Sequence, residues 1–326
     1  MNRKKILFVF NPFSGKGLIK NYLVDIVDIM VKAGYEVTIY PTQSSGDATD
    51  KIIKDAKGYD RIICSGGDGT LDEVITGLLK SKLDIPVGYI PAGSTNDFAN
   101  SLGIPKVMTQ AAKTAVTGAE FPCDMGDFNG DTFVYVAAFG IFTEVSYQTP
   151  QQLKNILGHL AYILEGAKHL SDIKSYNMQI EYDDHVIQDK FIYGMVTNSV
   201  SVGGFKGMTG DDVKLDDGVF EVTLIKTPKN PVELSEILTC LTNLRDDSDL
   251  IYSFKAKKLH IITKEKVAWT LDGEYGGEHD DLTINNLNRA VPLIVDAAEI
   301  VGITAHPTEV FEDPYENLSL EEIEKL

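Results

Sequence analysis

Ser65-Gly66-Gly67-Asp68-Gly69-Thr70 follows the apolar run Arg61-Ile62-Ile63-Cys64 and leads into Leu71-Asp72-Glu73-Val74-Ile75-Thr76-Gly77-Leu78-Leu79, which reads as strand, glycine turn, helix. Three glycines in four positions let the backbone take φ > 0 and approach a ligand without a Cβ in the way. The N–H groups at the helix start face outward, so such a turn suits phosphate. Asp68 is the anomaly, because a carboxylate in an anion cradle repels phosphate unless a divalent cation or an incoming hydroxyl stands between them. It reads as a metal-binding or proton-handling residue. A tight βα turn with an incidental Asp at its tip is the plain alternative.

Upstream, the apolar run over 5–10 ends in Asn11-Pro12-Phe13-Ser14-Gly15, as a central parallel strand would. The pairs Leu18/Ile19, Tyr22/Leu23, Ile26/Val27 and Met30/Val31 predict a helix stopped by Gly34. Strands are expected over 35–40, 61–64 and 86–90 and a helix over 47–57. Pro91-Ala92-Gly93-Ser94-Thr95-Asn96-Asp97 then opens another helix, with Ser94, Thr95 or Asn96 as its cap. This βαβαβ rhythm belongs to a parallel sheet with helices on its faces, where ligands bind at the carboxyl ends of the strands. All three special turns fall on that edge.

From about residue 125 the rhythm changes. Asn129-Gly130 signals a hairpin turn, and short β-rich runs over 176–182, 190–198, 219–225, 258–263 and 282–284 predict a mainly antiparallel second domain. Helices are expected over 151–169 and 231–243. The apolar stripe Leu153, Ile156, Leu157, Leu160 and Ile163/Leu164 faces either a core or a membrane.

With 326 residues the chain is long enough for two domains. A net charge of −18 argues against a nucleic-acid partner, and nine of the acidic residues lie in 296–326. No apolar run approaches the ~20 residues that span a bilayer, and no signal-peptide pattern opens the chain, which predicts a soluble, cytoplasmic protein. Cys64, Cys123 and Cys240 are scattered and suggest neither disulfide nor zinc site, and the six histidines share no metal spacing.

Taken with Leu215-Asp216-Asp217-Gly218 and Leu271-Asp272-Gly273-Glu274, the three turns resemble the soluble bacterial diacylglycerol kinase family, in the same order and over about residues 4–295. NAD kinases and 6-phosphofructokinases are similar at the Asp68 turn, but Asn11-Pro12 and the late Asp-Gly pieces select the lipid kinase branch. The resemblance implies an α/β nucleotide-binding domain with a mainly parallel sheet (1–124) and a mainly antiparallel β-sandwich domain (125–295). The site would lie between them, and an acidic segment (296–326) would be free to dock on the first domain.

It further implies ATP and Mg2+ as cofactors, with the nucleotide on Asn11, Pro12, Phe13, Ser14, Gly15, Thr42, Gly66, Gly67, Asp68, Gly69, Thr70, Leu71, Asp72 and Ser94. Glu274 matches the family's proton acceptor, and Asp68 stands in its magnesium and water network. A structural magnesium is implied at Asp217 and the carbonyls of Lys214 and Val219. The implied partner is a lipid substrate met transiently at the inner face of the membrane, and a homodimer is compatible with the resemblance. Ser94 stands where Thr is common and keeps the hydroxyl; Asp72 stands where Asn is common and adds negative charge.

Phosphoryl transfer needs these parts independently of any resemblance: N–H groups for the phosphates, Mg2+ for their charge and a carboxylate for the attacking hydroxyl's proton. No Walker A pattern is present, since Asn11-Pro12-Phe13-Ser14-Gly15-Lys16-Gly17 lacks the Lys-Ser/Thr ending. Competing readings are an NAD or sugar-phosphate kinase and a nucleotide-binding module without catalysis; retention of both Asp68 and Glu274 speaks against the latter. The acceptor itself, diacylglycerol or a phosphatidylglycerol, ceramide, sphingosine-like or polyprenol alcohol, depends on pocket shape.

Overall fold

The computed structural model describes residues 3–141, 173–202, 205–206, 213–243 and 248–305. The helix expected over 151–169 and the acidic chain beyond residue 305 lie outside them. The first third alternates as its apolar periodicity demands: β1 (Lys5–Phe10), α1 (Ile19–Lys32), β2 (Glu36–Pro41), α2 (Asp47–Asp55), β3 (Arg61–Gly66), α3 (Asp68–Ser81) and β4 (Val87–Pro91). These strands pair in parallel in the order β2-β1-β3-β4. The inner three are buried along nearly their whole length, which is why they read as unbroken apolar runs. Gly34, at φ +89, closes α1 in the left-handed conformation that glycine adopts without strain.

Two helices follow, α4 (Asp97–Ser101) and α5 (Met108–Thr117). The sequence reading did not find α5. Its buried Ala111, Ala112 and Ala115 give little apolar contrast, but they let the helix sit directly on β4, where a Cβ at Gly88 would stand 2.6 Å from that of Ala115.

The second half contains β5 (Ala119–Phe128), β6 (Asp131–Phe133), β7 (Val136–Gly140), β8 (Tyr176–Tyr182), β9 (His185–Thr197), β10 (Ser201–Val202), β11 (Phe205–Lys206) and β12 (Phe220–Lys226). It continues with α6 (Pro231–Asn243), β13 (Ile251–Ala256), β14 (Lys258–Leu271), β15 (Glu274–Val295) and α7 (Ala297–Ile303). Asn129 and Gly130 both have positive φ, as a two-residue hairpin turn between β5 and β6 requires. Strand pairing here is antiparallel, and Trp269 fills a second core with Phe139 and Phe128 at ring-centroid distances of 4.8 and 5.3 Å.

Two strands are much longer than the sequence suggested. β15 runs for 22 residues where only 282–284 was anticipated, and β14 for 14. Leu293 and Ile294 of β15 pair in parallel with Val87 and Gly88 of β4, so both halves belong to one mixed sheet ordered β13-β12-β9-β7-β14-β15-β4-β3-β1-β2. β5 crosses the boundary expected at residue 124.

The acidic segment expected from residue 296 begins as part of the body. Asp296 caps α7 by accepting the Ala298 N–H at 3.0 Å, and Ile300 and Ile303 are buried in the first core.

Candidate active site

The carboxyl ends of the parallel strands are tied together by their own backbones. Asn11 N–H donates to Ser65 O at 2.9 Å, and Ala92 N–H donates to Gly66 O at 2.7 Å. Asn11 Oδ1 then accepts the Phe13 N–H at 2.9 Å, which folds the 11–15 loop back on itself. A Cβ on Gly15 would collide with the Ala92 carbonyl, and one on Gly93 would stand 2.7 Å from Gly67 Cα. The three turns therefore touch, and only glycine permits it.

Two local expectations are corrected. Gly66, Gly67 and Gly69 have no positive φ; they are needed for proximity. A Cβ at Gly66 would collide with Thr70, and one at Gly69 would stand 3.0 Å from Glu274 Oε1. The helix starts earlier than residue 71: Gly67 is the extended N-cap and Asp68 the first helical residue, where a carboxylate meets the positive end of the helix dipole. At α4 the N-cap is Asn96, but its side chain does not cap. Instead Oδ1 accepts the Gly93 N–H at 2.8 Å and Nδ2 donates to Gly93 O at 3.0 Å, clamping the turn.

A cavity of about 390 Å3 opens on this edge, lined by Asn11, Phe13, Ser14, Thr42, Gln43, Ser44, Ser45, Gly67, Gly69, Thr70, Glu73 and Glu274. Of the residues expected around a nucleotide, Asn11, Phe13, Ser14, Thr42, Gly67, Gly69 and Thr70 meet here. Ser94 is exposed and is not in the lining. Leu71 is wholly buried in the first core. Gln43, Ser44, Ser45 and Glu73 were missed, although the first three follow β2 on the same sheet edge, and applying the edge rule to that strand would have found them.

Glu274 reaches the cavity from the second half. The β14–β15 hairpin turns at Asp272 and Gly273, both at positive φ, with Leu271 opposite Glu274. The turn is exposed at Gly273 and Glu274 but anchored at Asp272. Asp272 is only 8% exposed, and its carboxylate accepts the N–H groups of Val134, Tyr135 and Val136 at 2.6, 3.0 and 2.9 Å. Burial pushes Asp272 up to about 7, against the pull of those three donors.

Asp68 is not in the cavity lining, although Gly67 and Gly69 on either side of it are. Its Oδ2 accepts the Asp97 N–H at 3.3 Å, and burial, with the Asp97 charge second, pushes it up to about 6. Asp72, one turn further along α3, is pushed well up by burial and then by the charges of Asp272 and Glu274.

Among the described residues no three His, Cys or carboxylate side chains form a ready ligand set. Asp68 Oδ1 and Asp72 Oδ1 are nevertheless buried without a hydrogen-bond partner. Two unpaired carboxylate oxygens at the start of one helix fit a hard dication that takes its remaining ligands from water and phosphate.

The Lys214–Val219 turn is distant in role. Asp124 holds it, its Oδ2 accepting the Gly218 N–H and its Oδ1 the Arg289 N–H, each at 2.6 Å. Asp216 accepts from Thr304 Oγ1 at 2.8 Å and from the Ala305 N–H at 2.6 Å. Asp217 Oδ1 accepts the Val219 N–H at 3.2 Å, and its Oδ2 lies 3.5 Å from Lys255 Nζ. Lys214 Nζ donates to Gly302 O at 3.2 Å.

The profile of the family described as diacylglycerol kinase catalytic domain matches residues 5–128. A diacylglycerol kinase of Bacillus subtilis is 37% identical over 84% of this chain and 91% of its own length. The chain belongs to the diacylglycerol kinase family. A diacylglycerol kinase of Staphylococcus epidermidis is 36% identical over 88% of this chain and 90% of its own. The crystal structure of a diacylglycerol kinase from Bacillus anthracis superposes with a TM-score of 0.72 at 27% identity, covering 91% of this chain and 99% of that one. No helix among the described residues is long and apolar enough to cross a membrane.

Proposed function

We propose that this family member transfers the γ-phosphate of ATP to the free hydroxyl of diacylglycerol, giving phosphatidic acid, with Glu274 accepting the hydroxyl proton. The observation that carries this reading is the Glu274 carboxylate over Gly69, at the uncapped start of α3 and inside a cavity walled by glycine turns. Outward N–H groups of that helix start suit the phosphates, and Ser14 and Thr70 add hydroxyls beside them. Glu274 is exposed, so an acceptor arriving from solvent or from a lipid surface reaches it directly. The in-line geometry of phosphoryl transfer then requires the γ-phosphate to stand between the hydroxyl and the rest of the nucleotide.

Asp68 and Asp72 would hold Mg2+ through their unpaired oxygens; bound there, the ion would neutralise charge on the phosphates. A structural Mg2+ at Asp217 and the carbonyls of Lys214 and Val219 belongs to the same reading. What supports it is the neighbouring Glu221, whose buried Oε2 has no hydrogen-bond partner, while its Oε1 lies 3.3 Å from Lys255 Nζ. A lipid acceptor would bring the protein to the inner face of the membrane for each turnover.

Labelled ATP, Mg2+ and mixed micelles containing diacylglycerol should yield labelled phosphatidic acid, and omitting Mg2+ should abolish it. Preference for phosphatidylglycerol, ceramide or a polyprenol in the same assay would reassign the acceptor. Labelling of NAD or a sugar phosphate, with no lipid product, would contradict the reading.

A further inference from the structure

Two helix starts border the cavity, and the chain treats them oppositely. At α3 the N-cap Gly67 makes no side-chain cap bond. At α2 the Glu73 carboxylate, reaching across from α3, accepts the Gly46 N–H on Oε1 at 2.8 Å and the Ala48 N–H on Oε2 at 3.0 Å. Thr49 Oγ1 closes the same contact by donating to Glu73 O at 2.8 Å. Asp47 secures the adjoining loop, its Oδ2 accepting the Gln43 N–H at 2.7 Å and its Oδ1 the Tyr40 hydroxyl at 2.8 Å.

The α2 start therefore has its Gly46 and Ala48 N–H groups already taken and offers an anion no free donors there, whereas the carboxylate at the α3 start, Asp68, is one of the two that would hold Mg2+ in the reading above. The wall beside the α2 start, Thr42 with Gln43, Ser44 and Ser45, presents hydroxyl and amide groups without charge. Glu274 stands at the other end, over Gly69, where the transferred phosphate must be.

Resting on the nucleotide reading above, we infer that Glu73 fixes the direction in which the nucleotide lies. The triphosphate occupies the start of α3 and the neutral nucleoside lies against the 42–45 wall. Glu73 is a positioning residue: it holds that wall in place through α2 and bars phosphate from the second helix start. The reverse orientation would require Glu73 to release both N–H groups, and it would carry the γ-phosphate away from Glu274.

The test separates the two ends of the nucleotide with two probes, adenosine and inorganic tripolyphosphate, each competed against labelled ATP in equilibrium dialysis. Loss of two N–H bonds in Glu73→Ala should weaken adenosine by about tenfold and raise KM for ATP to match. Tripolyphosphate affinity should stay unchanged or tighten, and kcat at saturating ATP should hold. Glu73→Gln, which keeps one acceptor, should fall between wild type and Glu73→Ala. Asp47→Asn loosens the same wall from its other side, so it should shift adenosine in the same direction and decides the matter if Glu73→Ala does not fold. Tripolyphosphate weakening with adenosine unmoved, or no change in either probe in the folded variants, would overturn the inference. Wild-type protein that retains no labelled ATP in the dialysis would instead overturn the nucleotide reading on which it rests.

Discussion

Asp272 and Glu274 are separated by one glycine and have opposite environments. Glu274 is exposed over the cavity, while Asp272 is sealed beneath the hairpin by three backbone donors. The sequence made Glu274 conspicuous only through its family resemblance, and it concealed Asp272, because three N–H groups supplied by residues 134–136 leave no trace in side-chain pattern. Asp68 was legible as an anomaly among glycines, but its contact with the Asp97 N–H was not, since that backbone lies 29 residues away.

Glu221 offers a test of electrostatics at this scale. Burial, opposed by Lys255 at 3.3 Å, pushes it from 4.5 up to about 7. Its folded pKa therefore exceeds its unfolded one, and between those values the folded chain binds the extra proton. That contribution to stability is fully present below pH 4.5 and is lost as pH rises to about 7. With divalent cations chelated, Glu221→Gln should flatten the pH dependence of unfolding and stabilise the protein at pH 7.5 by about 3 kcal/mol. Urea titrations at several pH values measure this; an unchanged pH slope would mean that Glu221 is not the group responsible.

At the scale of elements, the parallel strands and the helices between them were legible because each is buried in a regular pattern. α5 was not, its alanines carrying too little contrast, and neither was the start of α3, where glycines that look like a turn are the first turn of a helix. That placement makes Gly69 informative. Ala is the better helix former by about 0.5–1 kcal/mol, yet its Cβ would stand 3.0 Å from Glu274 Oε1. Gly69→Ala should therefore melt no lower than wild type and still lose at least about fivefold in kcat, the scale of a 1 kcal/mol displacement cost. Full activity in this variant would show that Glu274 has room to spare.

α7 makes the second prediction at this scale. Ile300 and Ile303 are buried and Asp216 grips Thr304 and Ala305, so ending the chain after residue 296 removes two core side chains worth about 1.5–3 kcal/mol each. That truncation should lower the melting temperature by several degrees. Ending the chain after residue 305 keeps every one of these contacts and should leave folding and activity intact. Equal behaviour of the two truncations would contradict the assignment of α7 to the body.

Across the whole molecule, β15 is the feature that makes the site possible. It begins at Glu274, borders β14 and β5, and ends beside β4, so one continuous strand connects Glu274 to the parallel sheet that carries the glycine turns. The sequence hid this strand. Gly276, Gly277, Asn285, Asn286 and Asn288 interrupt its apolar alternation, and a register shift between Leu287 and Val291, with Arg289 at φ +54, changes which face is buried. Convergence of the three turns on one edge was readable from strand order alone; their meeting with Glu274 depended on a strand whose period breaks in the middle.

In the proposed reaction Glu274 takes the proton of the attacking hydroxyl while the first half of the chain holds ATP. Glu274→Gln keeps size and removes the acceptor, so it tests that division most directly. Turnover with diacylglycerol micelles should fall by about 10²-fold or more, the scale of a lost general base, while ATP affinity measured by equilibrium dialysis stays within about twofold. Wild-type turnover in this variant, or loss of ATP binding in step with activity, would contradict the claim.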